Sequence, residues 1–277
     1  MKRLVPALLL SLAAGCSGGN SANVSLPQPV LSPTAAPTGT PKPALATGIA
    51  TLFIPAASGD ARARARRRQW VSPSTMSISI SATTPDGYNG YVITAVPANA
   101  PNCTAVTGGR TCTLGFDAPP GVDTVQIYAY DATNAYIGNP VATTTVSGVN
   151  IAASGNNSLT FTLGGIVGQQ PALSPASFNV TQGTPATLTL AIAGFDIDGN
   201  PITTYDAPLG ITQTDTTGTF TLSAASIADS SVTPSIVVQY DGGSASTTIT
   251  VATTSTNTAN FYGPQQSTIT ITPAPIP

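Results

Sequence analysis

The chain contains no histidine, its eleven acidic residues are all aspartate, and its only lysines are Lys2 and Lys42. Without histidine there is no Ser-His or Cys-His nucleophile pair and no ordinary zinc site. Without glutamate, a two-carboxylate glycosidase arrangement is restricted to aspartates. Beyond residue 42 no lysine remains to act as a base or form a Schiff base. Catalysis would therefore rest on Asp, Tyr, Arg110 and hydroxyl groups, and the expectation is a non-enzymatic chain with no cofactor. Charge is also one-sided: from Gln69 onward ten aspartates meet a single basic residue, Arg110. Such a body makes nucleic acid an unsuitable partner, because phosphate binding needs clustered Lys and Arg. Strong helix formers are scarce while Thr, Ser, Val, Ile and Gly dominate, a balance that favours strands and turns.

The N-terminus has its own pattern. Lys2 and Arg3 precede an apolar run over residues 4–14, too short to span a bilayer, and small residues lead into Cys16. This is the layout of a secretory signal peptide. The Leu12-Ala13-Ala14-Gly15-Cys16 end resembles the lipobox of bacterial lipoproteins. The resemblance implies removal of residues 1–15, lipidation of Cys16 and a membrane partner through the lipid; Ser17 implies the outer membrane of a diderm envelope. The plainer alternative is an ordinary cleaved signal peptide followed by an incidental cysteine. Residues 16–46 then form a tether with six prolines and one charge, Lys42. A stretch with so little to bury is expected to stay extended and disordered, reaching between roughly 30 and 90 Å.

About 230 residues remain, enough for one large or two ordinary domains. Strand signals fall at residues 49–54, 75–82, 90–96, 111–116, 124–130, 141–146 and 158–163. A second set falls at 186–193, 219–222, 235–240, 245–251 and 267–272. Met76, Ile78 and Ile80 alternate with Ser77, Ser79 and Ser81, as Val125, Ile127 and Ala129 do with Gln126, Tyr128 and Tyr130. Period-two alternation predicts one face in a core and one in water. No credible helix is evident. The expected fold is all-β: two tandem antiparallel sandwiches over residues 47–166 and 167–277, divided near Gly164-Gly165. An internal echo supports two related halves: Tyr130-Asp131 precedes Gly138-Asn139-Pro140, and Phe195-Asp196 precedes Gly199-Asn200-Pro201. The first half also looks like transthyretin-like or carboxypeptidase-regulatory sandwiches, so the topology is open between these and an Ig-like one. As a whole, the lipobox, the entry into the first sandwich through Trp70 and the Asp196–Asn200 turn resemble envelope lipoproteins that carry Ig-like modules.

Several constellations invite chemistry. A Thr107-Gly108 hairpin turn would set Cys103 opposite Cys112, within disulfide reach in an oxidising compartment. Asp196, Asp198 and Asn200 offer oxygen ligands to calcium, but too few, and ordinary turn chemistry is the favoured reading of the motif. Asp215-Thr216-Thr217-Gly218 imitates the Asp-Thr-Gly loop of aspartic proteases with one residue too many and no second copy. Arg62, Arg64, Arg66, Arg67 and Arg68 form a basic cluster suited to a solvated loop or to contact with anionic lipid or envelope polymer. The reading is an exported, lipid-anchored envelope protein with a structural or binding role and an envelope polymer or protein as partner. Two alternatives stand beside it. A carbohydrate-adhesion module would show Trp70, Tyr88 and Tyr91 in one exposed row; an Asp-only hydrolase would bring two Asp together in a cleft.

Overall fold

β-branched residues alternating with small polar ones convert most of the body into strands. The computed structural model describes residues 44–56, 70–154, 157–229 and 234–276. Cys16, the expected signal peptide, nearly all of the expected tether and the arginine cluster lie outside these residues. One four-stranded sheet orders β4 (Cys103–Val106), β5 (Gly109–Ala118), β1 (Ala46–Pro55) and β8 (Asn157–Leu159). A second orders β10 (Ala172–Ser174), β11 (Ala186–Ala193), β15 (Ser235–Tyr240) and β13 (Phe220–Leu222).

The third sheet has nine strands and runs through both halves. From one end it contains β17 (Gln266–Ile271), β16 (Thr247–Thr253), β12 (Thr204–Gln213) and β9 (Gly164–Gly165). It continues through β7 (Pro140–Ile151), β6 (Gly121–Tyr130), β2 (Ser77–Thr83) and β3 (Asn89–Ala95), while β14 (Ser226–Asp229) pairs with β12. Pairing is antiparallel almost throughout, and the all-β sandwich expectation holds. The Gly164-Gly165 segment, read as a boundary, is itself a sheet element: β9 pairs antiparallel with β7 and parallel with β12. One hydrophobic cluster extends from Leu52, Leu114, Ile80 and Ile127 through Trp70, Val167 and Tyr205 to Leu190, Val238 and Ile249.

Two expectations change. The serine face of β2 does not meet water: Ser77 and Ser79 are buried, and the Ser77 hydroxyl donates to the Ala132 carbonyl at 2.6 Å. The loop after β6 covers Ser77, so the alternation there separates the core from a partly buried polar face rather than from water. A helix also forms among the described residues, α1 (Thr256–Tyr262). Ser255 caps it by accepting from the Thr258 amide at 3.2 Å, and Gly263 follows at φ 73°. Its Thr- and Asn-rich sequence conceals it, since helix propensity there is low. Packing supplies the rest: Phe261 meets the Tyr128 ring edge-on with centroids 5.9 Å apart.

Candidate functional site

The two copies of the internal echo build the same hydrogen-bonded clamp, and both lie between the halves. In the first, the Asn139 amide donates to Asp131 Oδ1 at 2.6 Å and its side-chain Nδ2 donates to Oδ2 at 2.8 Å. The Asp131 amide returns a bond to the Asn139 carbonyl at 3.1 Å. In the second, the Asn200 amide donates to Asp196 Oδ1 at 2.7 Å, its Nδ2 to Oδ2 at 3.0 Å, and the Asp196 amide to the Asn200 carbonyl at 3.0 Å.

The proline that follows each clamp accepts from the opposite half. The Tyr262 hydroxyl, on α1, donates to the Pro140 carbonyl, and Trp70 Nε1 donates to the Pro201 carbonyl at 3.1 Å. Burial and then the negative charges of Asp131, Asp196 and Asp198 hold the Tyr262 hydroxyl well above its ordinary pKa, so it remains a donor. The second clamp is extended by Ser72, whose hydroxyl donates to Asp196 Oδ2 at 2.6 Å, and by Ser74, which accepts from Asn200 Nδ2 at 2.9 Å. Gly165 lets the halves meet: a Cβ there would lie 2.7 Å from Ile202 and 2.8 Å from the Trp70 ring.

Beside this junction lies a depression of about 340 Å³ lined by Thr143, Thr145, Thr162, Thr204, Asp206 and Asn257, among others. Asp206 Oδ2 accepts from the Ser255 hydroxyl and from Asn257 Nδ2, the latter at 3.1 Å. Tyr128 donates to Asn257 Oδ1 at 2.9 Å, and Gln126 donates to the Tyr128 hydroxyl at 3.1 Å. Asp206 Oδ1 is buried without a partner among the described residues. Burial raises the Asp206 pKa, partly opposed by Ser255 and Asn257. A hydroxyl-lined pocket with one protonatable carboxyl can hold a small polar ligand; a two-carboxylate hydrolytic site needs a second acid, and Asp206 is alone among the described lining residues. No sequence signal marked Asp206, Tyr128 or Asn257, because they come together only through α1.

A second groove, again about 340 Å³, is lined by Leu45, Thr47, Tyr88, Tyr91, Phe116 and Asp117, among others. Tyr91 is 52% exposed there. Trp70 is buried at 3% exposure, so the aromatic row sought for a carbohydrate module loses its first member.

The remaining sequence candidates sort by geometry. Cys103 and Cys112 are joined, with Cα atoms 4.0 Å apart and the register expected from the hairpin turn. Asp196 and Asn200 meet, but Asn200 turns its amide donors toward the carboxylate, which fills the oxygens a cation would need. Asp198 stands outside the clamp at the surface, where partial desolvation and the charges of Asp131 and Asp196 raise its pKa against a hydrogen bond with Ser74 that lowers it. Asp215 is a loop brace: its carboxylate accepts from the Thr217 hydroxyl and amide at 2.6 and 2.8 Å and from the Phe220 amide at 2.7 Å. Those bonds, led by the Thr217 hydroxyl, lower its pKa.

No family model matches the chain, and no curated protein matches it. Among solved structures, domains 1–6 of the surface-layer protein SbsC are 16% identical, matching 71% of this chain and 25% of theirs at a TM-score of 0.29. A β-glycosidase from Bacteroides vulgatus is 11% identical over 80% of this chain and 24% of its own, at 0.26. BcpA, the major pilin subunit of Bacillus cereus, is 10% identical over 82% of this chain and 69% of its own, also at 0.26. The chain spans about a quarter of the length of the first two. Likenesses this distant bear on neither activity nor partner.

Proposed function

We propose that the chain is a non-catalytic protein of the bacterial cell envelope, held to a membrane by lipid on Cys16, whose sandwiches act as one rigid block. The pair of clamps carries this reading. Each half places an aromatic donor on the other's proline carbonyl, and a continuous sheet runs between them, so the halves resist separation. A body built this way suits bearing load or presenting a fixed surface at the end of a tether. The address rests on the lipobox resemblance. Its test is metabolic labelling with a fatty acid: the full-length protein incorporates label and partitions into detergent, and Cys16→Ala abolishes both. Labelling that persists in Cys16→Ala overturns the anchor.

A second reading has an observation of its own. Tyr91, Tyr88 and the Asp117 carboxylate form an open groove in which a ring face and an acceptor suit a saccharide. Binding to purified envelope polysaccharide that Tyr91→Ala reduces at least about tenfold favours this groove as the contact surface; unchanged binding removes it.

A further inference from the structure

Asp123 is the least explained side chain among the described residues. It precedes Val125, Ile127 and Ala129 on β6 at the same parity, so the strand turns its carboxyl to the core face. It is 1% exposed, and neither carboxylate oxygen has a hydrogen-bond partner among the described residues. Among the described residues no cation compensates it: Arg110, the single cationic side chain there, spends its guanidinium on the Val96 and Thr75 carbonyls. A buried anion with neither donor nor counter-ion is strongly disfavoured.

Asp123 lines a cavity of about 200 Å³ with Thr84, Asp86, Pro119 and Pro120, among others. The β2–β3 turn holds Asp86 there: Gly87 at φ 91° donates its amide to the Thr84 carbonyl, and the Thr84 hydroxyl donates to Asp86 Oδ1. Pro85, Pro119 and Pro120 have no N–H, so their backbones bring acceptors and no donors. Desolvation and then the charge of Asp86 raise the Asp123 pKa, as expected of two acids that share a cavity.

We infer that Asp123 and Asp86 bind a calcium-like divalent cation between the β2–β3 turn and the Pro119-Pro120 corner. Carboxylate, carbonyl and hydroxyl oxygens suit a hard cation, and calcium accepts irregular oxygen sets completed by water, whereas magnesium demands near-octahedral geometry. Affinity is expected in the range of extracellular modules, a Kd of about 10⁻⁴–10⁻³ M. The bound ion pins two turns of the first sandwich together.

The test titrates calcium chloride into the full-length, chelator-treated protein at neutral pH, read by calorimetry and thermal melting, with magnesium chloride alongside. The expected result is a saturable rise in Tm by several degrees at about 5 mM calcium. Asp123→Asn and Asp86→Asn should each weaken binding at least about tenfold, while Asp198→Asn leaves it unchanged. In chelator, Asp123→Asn should melt above the parent, because it removes the uncompensated charge. Absence of a calcium response, a response retained by both cavity variants, or one abolished by Asp198→Asn overturns the site. Should Asp123→Asn fail to fold, Asp86→Asn, on the exposed turn, decides alone.

Discussion

The two clamps allow a controlled comparison, because the same bonds sit in different surroundings. Asp196 is fully buried and accepts from the Asn200 amide, Asn200 Nδ2 and the Ser72 hydroxyl. Replacing it with alanine orphans three donors. Each buried donor left unpaired costs about 1–3 kcal/mol. Asn200 Nδ2 keeps its bond to Ser74 and a longer one to Ser72 at 3.3 Å, so the loss is less than the full sum. About 3–4 kcal/mol is expected for Asp196→Ala. Asp131 is half-exposed, and water can replace it at the Asn139 amide and side chain. About 1 kcal/mol is expected for Asp131→Ala.

Urea unfolding, with the m-value fitted for each variant, measures both differences. Near-equal losses would refute the argument, because they would mean that burial does not set the strength of the clamp. A further readout concerns the junction. If the second clamp locks the halves, Asp196→Ala should broaden or split the calorimetric transition while Asp131→Ala leaves it single. A single sharp transition in Asp196→Ala would show that the shared sheet suffices without the clamp.

Three other outcomes follow from the geometry. The Cys103–Cys112 bridge closes a sequence separation of 9, and its removal as the double serine variant should lower stability by about 2–3 kcal/mol by chemical denaturation; a change below measurement error would refute the loop-entropy account. Gly165→Ala places a methyl against Ile202 and Trp70, so it should cost about 1–3 kcal/mol and shift the emission of the lone tryptophan; an unperturbed spectrum and midpoint would mean the junction relaxes freely. In chelator, stability should rise as pH falls from neutral. Asp123 and Asp206 have folded pKa values above the ordinary 3.8, so their contribution is complete below that value and lost as pH climbs through the folded ones. Asp215, depressed by its loop bonds, contributes above 3.8 and loses that contribution as pH falls through its folded value, so the urea midpoint should peak in mild acid. A midpoint that only falls on acidification contradicts the raised pair.

The strands that sequence pattern located share one property: their alternation or β-branched density is local. The 124–130 prediction became β6, and 235–240 became β15, each legible from its own pattern although each forms by pairing with strands distant in sequence. β12 (Thr204–Gln213) went unseen because Pro208 and Gly210 interrupt it, and both weigh against a strand. It forms because β9, β14 and β16 pair with it. The disulfide was legible because a two-residue turn determines its register within ten residues. The Asp206 pocket was not, since it draws on β7, β9, β12 and α1, and no local period encodes that meeting. Asp123 had a readable signal, an acid at the same parity as Val125 and Ile127, but parity marks a buried position without saying what compensates it.

The echo illustrates what a short repeat can encode. Asp131 and Asn139 are separated by eight positions, Asp196 and Asn200 by four, yet the same three bonds form in each. Lengthening a loop between fixed ends costs little entropy, growing only logarithmically with length. What must be kept is the chemistry at the ends: a carboxylate able to take both the amide and the side chain of an asparagine, then a proline. The proline donates nothing to the sheet, but its carbonyl is free to accept from the other half. A motif that looks like two ordinary turns in isolation therefore specifies how the two halves of the body join, because each turn ends on an acceptor that the opposite half supplies with a donor.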